Sequence, residues 1–151
     1  FYMNEAQIVV FSLNGLTFGA SAEEIEEVIQ YSTLQKDYKD NKSGGDRLPF
    51  MEGYANVRDN MIPVVNLGKY LGLEEASIPP NAKIILARAN ENLLGFIVDN
   101  VTAILRLKES AIKDTPRIIT TPRNECIKKF VVSDESLFPV IRFDSIFDIK
   151  R

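Results

Sequence analysis

The chain has no histidine, no tryptophan and a single cysteine. Without histidine there is no imidazole acid–base catalysis, no phosphorelay histidine and none of the usual zinc sites. Cys126 has no internal disulfide partner. Its apolar flanks mark it as a buried thiol, and one unpaired cysteine fits a cytoplasmic protein. No apolar run approaches the ~20 residues that cross a bilayer as a helix, and no signal-peptide pattern opens the sequence. A basic excess is also missing: the formal net charge is −3, which argues against a nucleic-acid or anionic-membrane surface. Phosphate-binding loops are absent too, since Ser43-Gly44-Gly45-Asp46 has neither the spacing nor the flanks of one. Nothing in the sequence calls for a cofactor or a metal.

What the chain does have is itself twice. Residues 8–29 and 50–71 recur without a gap at an offset of 76. Ile8-Val-Val-Phe-Ser-Leu-Asn14 lies over Ile84-Ile-Leu-Ala-Arg-Ala-Asn90, and Phe18-Gly19 over Leu94-Gly95. Ile25, Val28 and Ile29 lie over Val101, Ile104 and Leu105; Met61-Ile-Pro63-Val-Val65 lies over Leu137-Phe-Pro139-Val-Ile141. Two separated blocks at one offset point to a duplication: one domain over residues 1–151, with halves of about 1–75 and 76–151. Each half is near the lower size limit for folding alone, so the two are expected to share a core.

Gln7–Leu13 alternates in strand fashion, and Asn14-Gly15 is a hairpin turn leading to a return strand, Leu16–Ala20. Ser21 and Glu24 have capping-box spacing for a brief helical turn. The repeat favours a strand for Ile25–Ile29, with Ile25, Glu27 and Ile29 on one face. Lys36–Asp46 is a polar loop. Tyr54–Arg58 and Met61–Asn66 read as strands around a turn at Asp59-Asn60, and Pro63 places the second at an edge or bulge. Leu67–Leu71 is a helical turn stopped by Gly72. The second half repeats the order with strands at Lys83–Arg88, Leu93–Val98, Lys128–Val132 and Leu137–Phe143. A loop carrying Pro116 and Pro122 precedes the third of these, and a turn at Asp144–Asp148 closes the chain. The expectation is a mainly β protein of two small barrels, each too small to enclose a ligand.

Three constellations could carry function. Glu23, Glu24, Glu26 and Glu27 are the densest acidic cluster, readable as a solvated edge or as a carboxylate or cation site. Gly53-Tyr-Ala-Asn56-Val57-Arg58 sets a glycine inside a strand and an arginine at a hairpin tip, where a guanidinium can fork onto a partner's carboxylate. The repeat puts Lys129 and Asp134 at the places of Gly53 and Arg58, so the common fold does not demand these two residues. Gly95, matching Gly19, reads as a strand bend, and Asp99 as a turn or cap residue.

The ordered set Phe18-Gly19, Ile25 to Ile29, Gly53 to Arg58, Ile62-Pro63-Val64-Val65-Asn66-Leu67 and Gly95 to Val101 resembles the chemotaxis coupling protein (CheW-like) family. The resemblance covers nearly the whole chain. It implies two SH3-like five-stranded β-barrel subdomains around a common hydrophobic core, with short helical segments. It also implies a non-catalytic adaptor that works in the cytoplasm at membrane-associated receptor arrays. Its partners would be the regulatory domain of a CheA-type histidine kinase and the cytoplasmic tips of chemoreceptors. The partner-binding positions it implies fall on Ile25, Glu27, Gly53, Asn56, Val57 and Arg58. The chain departs from the family pattern with Asp59 for a Gly, Asn66 for an Asp, Lys129 where second halves often carry Gly, and a longer loop at Lys36–Asp46. Two other readings remain at this level: a regulatory domain of the same fold cut from a larger kinase or receiver-fused protein, and an ion-binding or carboxylate-based enzyme using Glu23–Glu27.

Overall fold

The computed structural model describes residues 4–36, 50–73, 77–89, 91–115 and 126–146. Most of the Lys36–Asp46 loop, Pro116, Pro122 and Asp148 lie outside them. Strands β1 (Glu5–Leu13), β2 (Leu16–Ser21), β3 (Ile25–Gln30), β4 (Met51–Val57) and β5 (Asn60–Asn66) come from the first half. The second half contributes β6 (Lys83–Ala89), β7 (Asn92–Val98), β8 (Asn100–Lys108), β9 (Ile112–Asp114), β10 (Ile127–Val132) and β11 (Leu137–Ile141). One short helix, α1 (Leu67–Tyr70), follows β5, and 3-10 turns span Ala22–Glu24, Glu109–Ala111 and Phe143–Ile146. The mainly β reading holds. The three-residue β9 was not expected, because so short a run shows no alternation.

Two sheets form, ordered β8-β1-β2-β11-β10-β9 and β3-β6-β7-β5-β4. Neither sheet is one half of the sequence, and the first has six strands rather than five. The halves exchange their leading hairpins: β1–β2 completes the sheet of β8–β11, and β6–β7 completes that of β3–β5. The exchange obeys the 76-residue offset. Val64↔Gly95 in the parallel pair β5–β7 maps onto Val140↔Gly19 in β11–β2, and Ile29↔Ile84 maps onto Ile8↔Leu105. Even the irregularities repeat, with Met51/Gly53 answering Ile127/Lys129. Exchanged hairpins give two undersized halves a common interior. The central cluster draws Phe11, Phe18, Val65 and Leu67 from one and Phe96, Val98, Cys126 and Phe143 from the other. Phe96 and Phe143 stack there with centroids 4.6 Å apart. As expected, Cys126 is a buried free thiol, and burial pushes its pKa up to about 12.

Both sheets curl. Laid flat, six strands would hold β8 and β9 about 24 Å apart at ~4.8 Å per strand. The three residues Glu109–Ala111 that join them span only about 6 Å as a 3-10 turn. In the other sheet, the segment after β3 reaches β4: Gln35 and Tyr54 exchange backbone hydrogen bonds of 2.8 and 2.9 Å.

That exchange accounts for Pro63. β5 lies between β7 and β4, an interior position rather than the expected edge. Tyr54, the partner of Pro63, turns its backbone polar groups towards Gln35, so the pair needs no hydrogen bond across β4–β5. On its other side the parallel ladder with β7 starts only at Val64. The missing N–H is therefore not missed. At Gly19 and Gly95, which read as strand bends, the β1–β2 and β6–β7 ladders run on without a register shift, and what each glycine supplies is room. A Cβ on Gly19 would lie 2.7 Å from Ile8 Cγ2 and from Phe138 Cε1, and one on Gly95 would lie 2.8 Å from Ile84 Cγ2. Each half needs the space at the same place.

Candidate functional site

In β3 the backbone does something that simple alternation does not show. Ile25 pairs with Ala87, but Glu27 pairs with Leu86, so the strand bulges at Glu26. Neighbouring residues of β6 face opposite sides, and Ile25 and Glu27 therefore do too. Ile25 packs beneath the central cluster with Ala87, while Glu27 shares the face of Ile29 and Leu86 in the second cluster. The expectation that Ile25 and Glu27 share a face was wrong by this one inserted residue.

The bulge brings Glu27 to Arg58. The β4–β5 turn is Arg58-Asp59, with φ of 50° and 68°, one residue earlier than expected, and Asn60 already pairs with Val57. Two successive positive φ angles make this a type I′ turn. Asn56 holds it, its Oδ1 accepting the Asp59 N–H at 3.0 Å. The Arg58 guanidinium donates to both Glu27 oxygens, at 2.7 Å to Oε1 and 3.3 Å to Oε2. The hydrogen bond and charge of Arg58 hold the Glu27 carboxyl below its ordinary pKa, and Glu27 raises that of Arg58 in turn. With side chains 72% and 38% exposed, the clasp can be reached from outside. The type I′ turn is what holds Arg58 at positive φ, an uncommon conformation for an arginine.

The six expected partner-binding residues thus divide. Asn56 and Arg58 are exposed at the tip, and half-buried Glu27 meets Arg58 there. Ile25 is half-buried on the other face of β3, and Val57 and Gly53 are buried. Gly53 has a role in the fold: its φ is +147°, and a Cβ there would meet Leu34 Cβ at 3.0 Å and the Gln35 carbonyl oxygen at 3.1 Å. It lies where the segment after β3 meets β4. Two departures from the family pattern are also accommodated. Asp59 tolerates the left-handed position a Gly would take. Asn66 caps α1 by accepting the Lys69 N–H and uses its amide to donate to Glu52 Oε2 at 3.2 Å, which an Asp carboxylate has no proton to do.

The members of the acidic cluster take different partners. Glu27 goes to Arg58, and Glu26 goes to Arg88 of β6 at 2.6 Å. Glu24 goes to the 3-10 turn Phe143–Ile146, whose Phe143 N–H it accepts at 3.1 Å. It does not reach back to Ser21 as a capping box would, although Ser21 Oγ accepts the Glu23 N–H. Burial raises the pKa of Glu24, more than the Phe143 N–H and Arg142 lower it. A cleft of about 380 Å³ is lined by Glu23, Glu24, Glu26, Asp144, Arg88 and Arg142. Among the described residues, no three His, Cys, Asp or Glu side chains are placed to hold a metal ion.

The equivalent surface of the second half differs. Val132 pairs with Leu137, and continuing the β2–β11 register sets Leu137 level with Leu16. The three are 42%, 73% and 51% exposed, an apolar row across β10, β11 and β2. At the matching positions of the other sheet stand Asn56, Met61 and Asn92. Sequence reasoning missed this row because the exchanged β1–β2 hairpin supplies one of its three residues. It missed Arg88 because nothing in a single strand shows its partner. Asp99 does cap a turn, as expected, but across the halves: Oδ2 accepts the Asn14 N–H at 2.8 Å.

The CheW-like domain profile matches residues 7–151. A chemotaxis protein CheW of Thermotoga maritima is 32% identical over 106 residues, covering 69% of this chain and 64% of that protein. The chemotaxis protein CheW of Bacillus subtilis is 28% identical over 99 residues, covering 66% and 59%. These matches thus span somewhat less than two thirds of the relatives' length. The crystal structure of the scaffolding protein TtCheW from Thermoanaerobacter tengcongensis superposes with a TM-score of 0.80 at 25% identity, covering 95% of this chain and 92% of the other.

Proposed function

The chain belongs to the CheW-like domain family, and from that premise we propose that it is a non-catalytic chemotaxis adaptor. In this reading it couples the regulatory domain of a CheA-type histidine kinase to the cytoplasmic tips of chemoreceptors. It works in the cytoplasm, recruited to membrane-bound receptor arrays. The observation that carries the reading is the Glu27–Arg58 clasp, a bidentate pair on an exposed rim whose counterpart positions in the second half are Ala103 and Asp134. The fold common to both halves does not require the pair. A scaffold needs at least two unlike surfaces, and the polar rim and the apolar row Leu16–Leu137–Val132 meet that need. Among the described residues no helix is long and apolar enough to cross a membrane, which is compatible with recruitment by receptors.

Calorimetric titration of the kinase regulatory domain into wild type, Arg58→Ala and Asp134→Ala tests this. The expected result is that Arg58→Ala weakens binding roughly tenfold or more, as removal of an interface arginine does. Asp134→Ala binds as wild type, and both variants melt where wild type melts. Equal losses in both variants would argue against a first-half docking site. Absence of binding by folded wild type would argue against the kinase as partner.

A further inference from the structure

We infer that Arg88 and Glu26 are positioning residues of the docking rim: their ion pair pins the β3 bulge and so holds Glu27 against Arg58. The first support is parity. Were β3 regular, Glu27 would stand on the face of Ile25 and turn away from the hairpin tip. The extra residue at Glu26 moves it to the face where Arg58 lies. A bulge residue has no partner in the ladder, and β3 is the outermost strand of its sheet, so only its side chain can fix it.

The second support comes from the other half, which has the same bulge and fixes it differently. In β8 the extra residue is Thr102, between Val101, opposite Phe11, and Ala103, opposite Val10. Thr102 Oγ1 donates to the Val10 carbonyl at 3.3 Å, a local tie. In β3 the same place holds Glu26, whose Oε2 accepts from Arg88 Nε at 2.6 Å, one strand away. Ser12 occupies the position equivalent to Arg88, so the six-stranded sheet has no cation at the place from which to build the charged device. The charged device occurs only in the sheet that has a carboxylate, Glu27, to aim.

The Glu27 carboxyl titration in the isolated chain, followed by NMR, reads the aim directly. Arg58 and Asp59 from the tip, Glu26 from its own strand and Arg88 from β6 are the charged groups around it. In Arg88→Ala, Glu27 is expected to titrate closer to an ordinary carboxylate, and binding to the kinase regulatory domain to fall roughly threefold. Adding Glu26→Thr to Arg88→Ala supplies the tie of the second half, since Leu86 stands where Val10 does. That double variant is expected to restore both readings. The shift persists in about 0.5 M salt if the clasp has moved, and disappears if only a nearby cation was lost. An unchanged Glu27 titration in Arg88→Ala, a shift that vanishes in salt, or a double variant no better than Arg88→Ala would each overturn the inference. The binding measurement rests on the adaptor reading, but the titration does not. Should the kinase domain fail to bind wild type, the titration still decides.

Discussion

Laid over one another, the two hairpins share a ladder up to their tips, where Arg58 and Asp59 take positive φ and their counterparts Asp134 and Glu135 do not. β4–β5 and β10–β11 share their register, their bulge and the in-strand proline. Yet one carries Asn56, Arg58 and Met61, and the other Val132, Asp134 and Leu137. Residues that face inward agree across the repeat because both halves must pack one interior. Residues that face outward diverge because the common interior makes no demand on them. The glycines sort the same way: Gly19 and Gly95 are kept in both halves by crowding, whereas Gly53 faces Lys129 across the repeat. In the five-stranded sheet the segment after β3 meets β4 at Gln35, and the chain needs both a positive φ and an absent Cβ at that point.

The largest effects should come from the shared positions. Gly19→Ala and Gly95→Ala each force a Cβ against a branched methyl, and each is expected to cost about 1–3 kcal/mol in urea unfolding. Gly53→Ala should lose a similar amount from backbone strain, roughly 1–3 kcal/mol. Lys129→Gly, its mirror image, should lose at most the ~1 kcal/mol of a glycine placed in a strand. A Gly53→Ala variant as stable as wild type would break the comparison. Smaller effects should follow from exchanging outward residues. Leu16→Asn, Val132→Asn and Leu137→Met install the polar half's row in the apolar half, and none should cost more than about 1 kcal/mol. A larger loss would mean that the row belongs to the fold.

The smallest expected effect is that of Glu24, which ties the first-half 3-10 turn to Phe143. Its folded pKa is raised, so the folded state takes up a proton before the unfolded state does. Its ionised form therefore costs stability above the raised pKa, and that cost is relieved as pH falls through it. Glu24→Gln keeps an acceptor for the Phe143 N–H without the charge. It should be at least as stable as wild type at neutral pH, with the difference shrinking as pH falls through the carboxylate range. A difference that grows on acidification would show that the charge was favourable.

The sequence made the strand order readable because apolar alternation and turn residues are local, and the duplication let a clear half interpret an ambiguous one. The repeat settled Ile25–Ile29 as a strand in this way. The hairpin exchange was not readable, because an offset of 76 is satisfied equally whether β1–β2 pairs within its own half or with the other. Parity failed at Glu26 for a related reason. A bulge adds one residue without a compositional mark, and every later side chain then changes face. The one available signal was a polar residue at the same place in both halves, Glu26 and Thr102, within otherwise alternating strands. Of the candidate site, Glu27 and Arg58 were visible as a carboxylate and a guanidinium outside the shared pattern. Gly53 and Val57 entered with the motif, and the structure gives both a place inside the fold.

The most direct test of the first-half rim is a backbone-amide NMR map of the chain as the kinase regulatory domain is added. The account predicts that shift changes gather at Glu26 to Val28 and Asn56 to Asn60, with Thr102 to Ile104 and Ser133 to Glu135 left in place. Changes confined to the second-half positions, or spread equally over both tips, would contradict it.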